Sequence, residues 1–113
     1  MEWIFFLNFF TPGEAESILA RARAVSYYEM ARQHFSAGDF EHAQREFHFS
    51  YVFGSDPANL FNEAQCLRQM RRYEWAAKKY RHFLDEVDPE GRARAAGRLA
   101  EEMEAAAAQQ KEE

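Results

Sequence analysis

Residues 38–47 read GDFEHAQREF and residues 71–80 read RRYEWAAKKY. Laid over each other they match in kind: Phe40 falls on Tyr73, Glu41 on Glu74, Ala43 on Ala76 and Phe47 on Tyr80, each pair 33 residues apart. The match extends upstream, where Ala31 falls on Ala64 at the same offset. Small residues at such positions let two helices cross closely, and aromatic ones fill the space between turns. Self-similarity at this period is the mark of a stacked supersecondary unit that cannot bury its apolar face alone.

The punctuation between these segments is helical. Thr11-Pro12, Asp56-Pro57 and Asp88-Pro89 each place a proline after a good capping residue, which reads as a helix start. Glu14, three residues after Thr11, completes a capping box. One long helix is expected over about 12–37, ending at Gly38. A second, capped by Asp39, runs to about Phe53 and stops at Gly54. A third covers Pro57 to about Arg71, a fourth Tyr73 to about Val87, and a fifth starts at Pro89 and frays in the tail AAAAQQKEE. No segment alternates with the period of a strand, so the fold class expected is all-α.

The residues Ala31, Phe40, Ala43 and Phe47, with Ala64, Tyr73, Ala76 and Tyr80, resemble the tetratricopeptide repeat. The resemblance implies antiparallel helix-turn-helix units stacked as an α-solenoid in a single domain, residues 1–113. Within it, 1–10 is an apolar N-terminal segment, 24–56 repeat 1, 57–89 repeat 2, 90–108 a capping helix and 109–113 a frayed tail. Arg71-Arg72 departs from the Gly38-Asp39 turn of the first repeat. Leu99 and Met103, ringed by Arg92, Arg94, Arg98, Glu101, Glu102 and Glu104, give the fifth helix the polar outer face of a cap.

By the same resemblance, the first helix of each repeat lines a concave face that binds a peptide. The matching residues are Val25, Tyr28, Glu29, Arg32 and Phe35 from repeat 1, Ala58, Phe61, Asn62, Gln65, Arg68 and Gln69 from repeat 2, and Arg94 and Arg98 beyond them; all but Val25, Glu29 and Ala58 make up the ten candidate groove residues. Some family members clamp a partner's C-terminal carboxylate with lysine and asparagine side chains. Asn62 matches the second-repeat asparagine, but Tyr28 and Arg32 stand where the first-repeat lysine and asparagine belong, and Gly91 and Ala95 replace the third-repeat basic pair. The full clamp is absent; the arginines still offer planar donors suited to carboxylates. The function expected is a non-enzymatic interaction module, an adaptor or scaffold for a peptide segment of acidic character. Two alternatives compete: a small chaperone that holds an apolar secreted or membrane subunit, and a membrane-surface protein.

The opening MEWIFFLNFF supplies a possible interaction segment: Trp3, Ile4, Phe5, Phe6, Leu7, Phe9 and Phe10 stand to gain roughly 10 to 20 kcal/mol by finding a surface. Four destinations are open: the domain's own helices, a second copy in a homodimer, a protein partner and a membrane. Glu2 and the bulky residues at 8–11 do not suit a secretory signal, and the run is shorter than the roughly 20 residues of a spanning helix. Membrane association is therefore not expected, and neither is nucleic acid, since the net charge is −5. A single cysteine, Cys66, fits a reducing compartment, and the cytoplasm is the expected location. No phosphate loop or nucleophile elbow occurs, His42 and His48 are six residues apart on one helix, and Cys66 reads as a small core residue. Neither an enzyme, a metal site nor a cofactor is expected.

Overall fold

A computed structural model of the chain describes residues 11–88 and 94–113. Among these residues the fold is all-α: α1 (Pro12–Ser36), α2 (Phe40–Gly54), α3 (Ala58–Gln69), α4 (Tyr73–Val87) and α5 (Arg94–Glu112). The main packing pairs are consecutive helices, α1 on α2, α2 on α3, α3 on α4 and α4 on α5. The stack extends 59 × 35 × 19 Å. The opening apolar segment, and the expected start of the fifth helix at Pro89, lie outside the described residues.

Helix α1 begins as its sequence demands. The Thr11 hydroxyl accepts from the Glu14 amide and the Glu14 carboxylate accepts from the Thr11 amide, both at 3.1 Å. Asp39 caps α2 by accepting from the His42 amide. Several boundaries differ from expectation: α1 ends at Ser36, one residue before 37, and α3 at Gln69, two residues before Arg71, while the start of α3 and the end of α2 each move by one. Pro57 precedes α3 instead of opening it; the Asp56 carboxylate accepts from the Ala58 amide at 2.9 Å, so the turn closes one residue later. Gly54 is the last helical residue of α2, and Ser55 takes the left-handed conformation at φ 58°. Gly54 has a packing reason: a Cβ there would lie 2.7 Å from Ala24 Cβ, so α1 and α2 touch closely at this point.

The 33-residue repeat extends to the backbone. The Asp39 amide donates to the His34 carbonyl at 2.8 Å, and 33 residues on the Arg72 amide donates to the Leu67 carbonyl at the same distance. Gly38 to Phe35 and Arg71 to Arg68 repeat each other at 3.0 Å, and Ser55 to Tyr51 is matched by Asp88 to Leu84. The side chains follow. Ala31, Ala43 and Phe47 form one buried cluster with Cys66 of α3, and Ala64, Leu67, Ala76, Ala77 and Tyr80 form a second with Ala100 and Met103 of α5. Small residues at each crossing admit the aromatic ring of the next turn, which is why the alanine and aromatic positions recur together.

The turn between α3 and α4 keeps its geometry without its glycine. Gly38 sits at φ 79° and its equivalent Arg71 at φ 61°, a conformation that costs a side chain with a Cβ roughly 1 to 2 kcal/mol. Arg71→Gly removes that strain and adds chain entropy to the unfolded state, for an expected net gain of about 0.5 to 1 kcal/mol. The Arg71 carbonyl, which accepts from Gln110 Nε2 at 2.9 Å, is unaffected by the change. A thermal midpoint that falls in the variant would show that the arginine side chain stabilises the turn.

Candidate functional site

Helices α1 and α3 face a common concavity, each presenting side chains at helical spacing. Between them is a concave pocket of about 320 Å³ lined by Tyr28, Arg32, Phe35 and Ser36 of α1, Phe47 of α2, and Phe61, Asn62 and Gln65 of α3. Six of the ten residues expected on the concave face therefore share one pocket. The Arg32 guanidinium lies over the Tyr28 ring, 5.8 Å from its centroid, and 3.6 Å from Glu29. That pair is exposed and weak, so the guanidinium remains available to an incoming carboxylate. Phe61 is held edge-on against Tyr80 and Phe83, each at 5.4 Å, which fixes the α3 wall.

The other four do not line this pocket. Arg68 is half-buried beside the Tyr80 hydroxyl, whose proton is donated to Gln65 Oε1 at 2.5 Å. Burial pushes the Tyr80 phenol above its ordinary value despite the nearby Arg68 charge. Gln69, Arg94 and Arg98 are exposed further along α3 and on α5.

A second pocket, about 400 Å³, adjoins the first and shares Tyr28 with it. Its lining comprises Arg21, Ala24, Val25 and Tyr28 of α1, Ser50 and Gly54 of α2, then Asp56 and Asn59. The Ser50 hydroxyl donates to the Ala24 carbonyl at 2.7 Å, and Asn59 Nδ2 donates to Ser50 Oγ at 3.0 Å. Asn59 is 4 % exposed, and its Oδ1 is buried with no hydrogen-bond partner among the described residues. Leaving such an acceptor unmet costs roughly 1 to 3 kcal/mol. The residue was not legible as a site from the sequence. The one signal was Ser50, a hydroxyl on the core face of α2 in line with Ala43 and Phe47, which called for a polar partner.

Glu63 was also not anticipated. It is 1 % exposed and joins three helices: its carboxylate accepts from Gln44 Nε2 at 2.9 Å, and lies 3.2 Å from His48 Nδ1 and 3.3 Å from Lys79 Nζ. The remaining histidines pair with carboxylates as well: His34 with Glu46 at 2.5 Å, His42 with Asp39 at 2.8 Å and His82 with Glu86 at 2.9 Å. Among the described residues, no group of three or more His, Cys, Asp or Glu side chains is placed to hold a metal ion. No helix among them is long and apolar enough to cross a membrane.

Cys66 sits at zero exposure in the first core cluster, and burial together with the Glu63 charge pushes its thiol up to about 12. The thiolate needed for reaction is therefore scarce at neutral pH. Ellman's reagent at pH 8 is expected to leave the native protein unlabelled and to label one thiol per chain in denaturant. Prompt labelling of the native protein would show that the core opens readily around α3.

Comparison with protein-family models, with curated proteins and with solved structures finds no match.

Proposed function

We propose that the chain is a non-enzymatic helical-repeat module of the tetratricopeptide kind, working as an adaptor or scaffold in a reducing compartment such as the cytoplasm. It binds a protein segment of acidic character in the pocket between α1 and α3. The observation that carries this reading is the lining of that pocket: Tyr28, Phe35 and Phe61 supply apolar area around the Arg32 guanidinium, with Asn62 and Gln65 as neutral hydrogen-bonding partners. Tyrosine and arginine are among the residues enriched at the hot spots of protein interfaces. The planar guanidinium favours a carboxylate, which it can engage through two parallel hydrogen bonds.

The test is affinity capture on the wild-type protein with mass spectrometry, followed by the same capture and an affinity measurement with Arg32→Glu. Losing a charge-assisted hydrogen bond and introducing repulsion is expected to weaken binding by at least about tenfold. Helical content by circular dichroism should be unchanged, because Arg32 is exposed. A partner that binds the variant with wild-type affinity and salt dependence would place the site elsewhere.

A further inference from the structure

The acceptor at Asn59 has a fixed direction. Ser50 has one hydroxyl proton, and it goes to the Ala24 carbonyl, so Ser50 Oγ can only accept from its other neighbour. Asn59 must therefore turn Nδ2 toward Ser50, as it does at 3.0 Å, and this leaves Oδ1 without a donor among the described residues. Flipping the amide would place two acceptors together and is excluded by the same count of protons. Asn59 lines a pocket whose α1 wall carries Val25, 61 % exposed, and that pocket shares Tyr28 with the Arg32 pocket.

We propose that the bound segment crosses both pockets in an extended conformation, donating a main-chain N–H to Asn59 Oδ1 and placing an apolar side chain against Val25. This deepens the peptide-groove reading above and rests on it. Oδ1 is shielded from water in the free protein, so this hydrogen bond requires the pocket wall to open as the segment seats. Val25 and Arg32 are two turns apart on one face of α1, a rise of about 10 Å. An extended chain in the polyproline-II conformation rises about 3.1 Å per residue with three residues per turn, so it covers that distance in about three residues and keeps both side chains on one side. The groove therefore selects segments in which an apolar and an acidic residue stand three positions apart, and the main-chain N–H near the apolar residue is part of what is read.

A random seven-residue peptide library displayed on phage, panned against the full chain, tests the spacing. Enrichment of an acidic and an apolar residue three positions apart is expected. Enrichment of acidic residues with no apolar residue at that spacing overturns this inference and leaves the Arg32 pocket standing; no enrichment at all overturns both. Enrichment that appears only in a full chain carrying Trp3→Ser and Phe6→Ser would assign the second pocket to the chain's own opening segment and overturn the partner assignment.

The hydrogen bond is tested on the best selected peptide by N-methylating each amide in turn. Methylation at one position near the apolar residue should weaken binding about three- to tenfold, the worth of one hydrogen bond. The same methylation should have no effect in Asn59→Ala, whose fold is checked by circular dichroism and by retained sensitivity to Arg32→Glu. An equal loss in wild type and Asn59→Ala would show that Asn59 is not the acceptor.

Discussion

Glu63→Ala is expected to destabilise the domain by about 3 to 5 kcal/mol, read as a fall in the urea midpoint at unchanged slope. The carboxylate is out of water and accepts from or pairs with Gln44, His48 and Lys79, which come from α2 and α4. Removing it strands the Lys79 ammonium, 23 % exposed, against the emptied site and leaves the Gln44 amide without its acceptor. The penalty comes from the groups left behind more than from the attraction lost. Replacing Glu63 and Lys79 together by methionine should therefore recover much of the loss, because neither charge then remains to be solvated. A loss below about 1 kcal/mol in Glu63→Ala would mean that water reaches the site and that the three helices are held by apolar packing alone.

Tyr80→Ala is expected to cost a similar amount, about 3 to 5 kcal/mol, for a different reason. Tyr80 has no exposed surface, packs in the cluster with Ala64, Ala76, Ala100 and Met103, and meets Phe61 edge-on at 5.4 Å. Truncation leaves a cavity where three helices converge, and alanine neighbours have no side-chain atoms with which to fill it. At roughly 4 °C or more per kcal/mol for a domain of this size, the melting midpoint should fall by more than about 10 °C. Tyr80→Phe isolates the hydroxyl, whose bond to Gln65 is worth about 1 kcal/mol. Phe47→Ala, the equivalent change in the first hairpin, should match Tyr80→Ala if the two units are held alike. Near-native stability in either alanine variant would show that its aromatic position does not hold the hairpin together.

The helices and their repetition follow from the order of residues alone. Alanine and aromatic side chains recur at fixed offsets because each hairpin solves the same packing problem, and that regularity is printed in the order of residues. Even so, helix ends move by one or two residues: Asp56 closes its turn at Ala58, Ser55 takes the left-handed position that Gly54 leaves free, and α3 ends at Gln69 before Arg71. Arg71 shows the limit of reading turns from composition: the turn survives without glycine because the Arg72 to Leu67 and Arg71 to Arg68 hydrogen bonds and the packed helices on both sides hold it.

Tyr28, Arg32, Phe35, Phe61, Asn62 and Gln65 line one pocket, and their common placement follows from their positions on the first helix of each hairpin. Arg68 shares that helix face but turns toward Tyr80, and Arg94 and Arg98 fall outside the pocket, since no local pattern records how far one helix sits from the next. Asn59 and Glu63 were invisible for a related reason. A polar residue inside a helix reads as solvated until the helices around it are in place. Tertiary structure alone decided that Ser50 would take the direction of the Asn59 amide, leaving one acceptor open, and that Gln44, His48 and Lys79 would converge on one carboxylate. Helical periodicity is a property of the chain, whereas burial and hydrogen-bond satisfaction are properties of what packs around it.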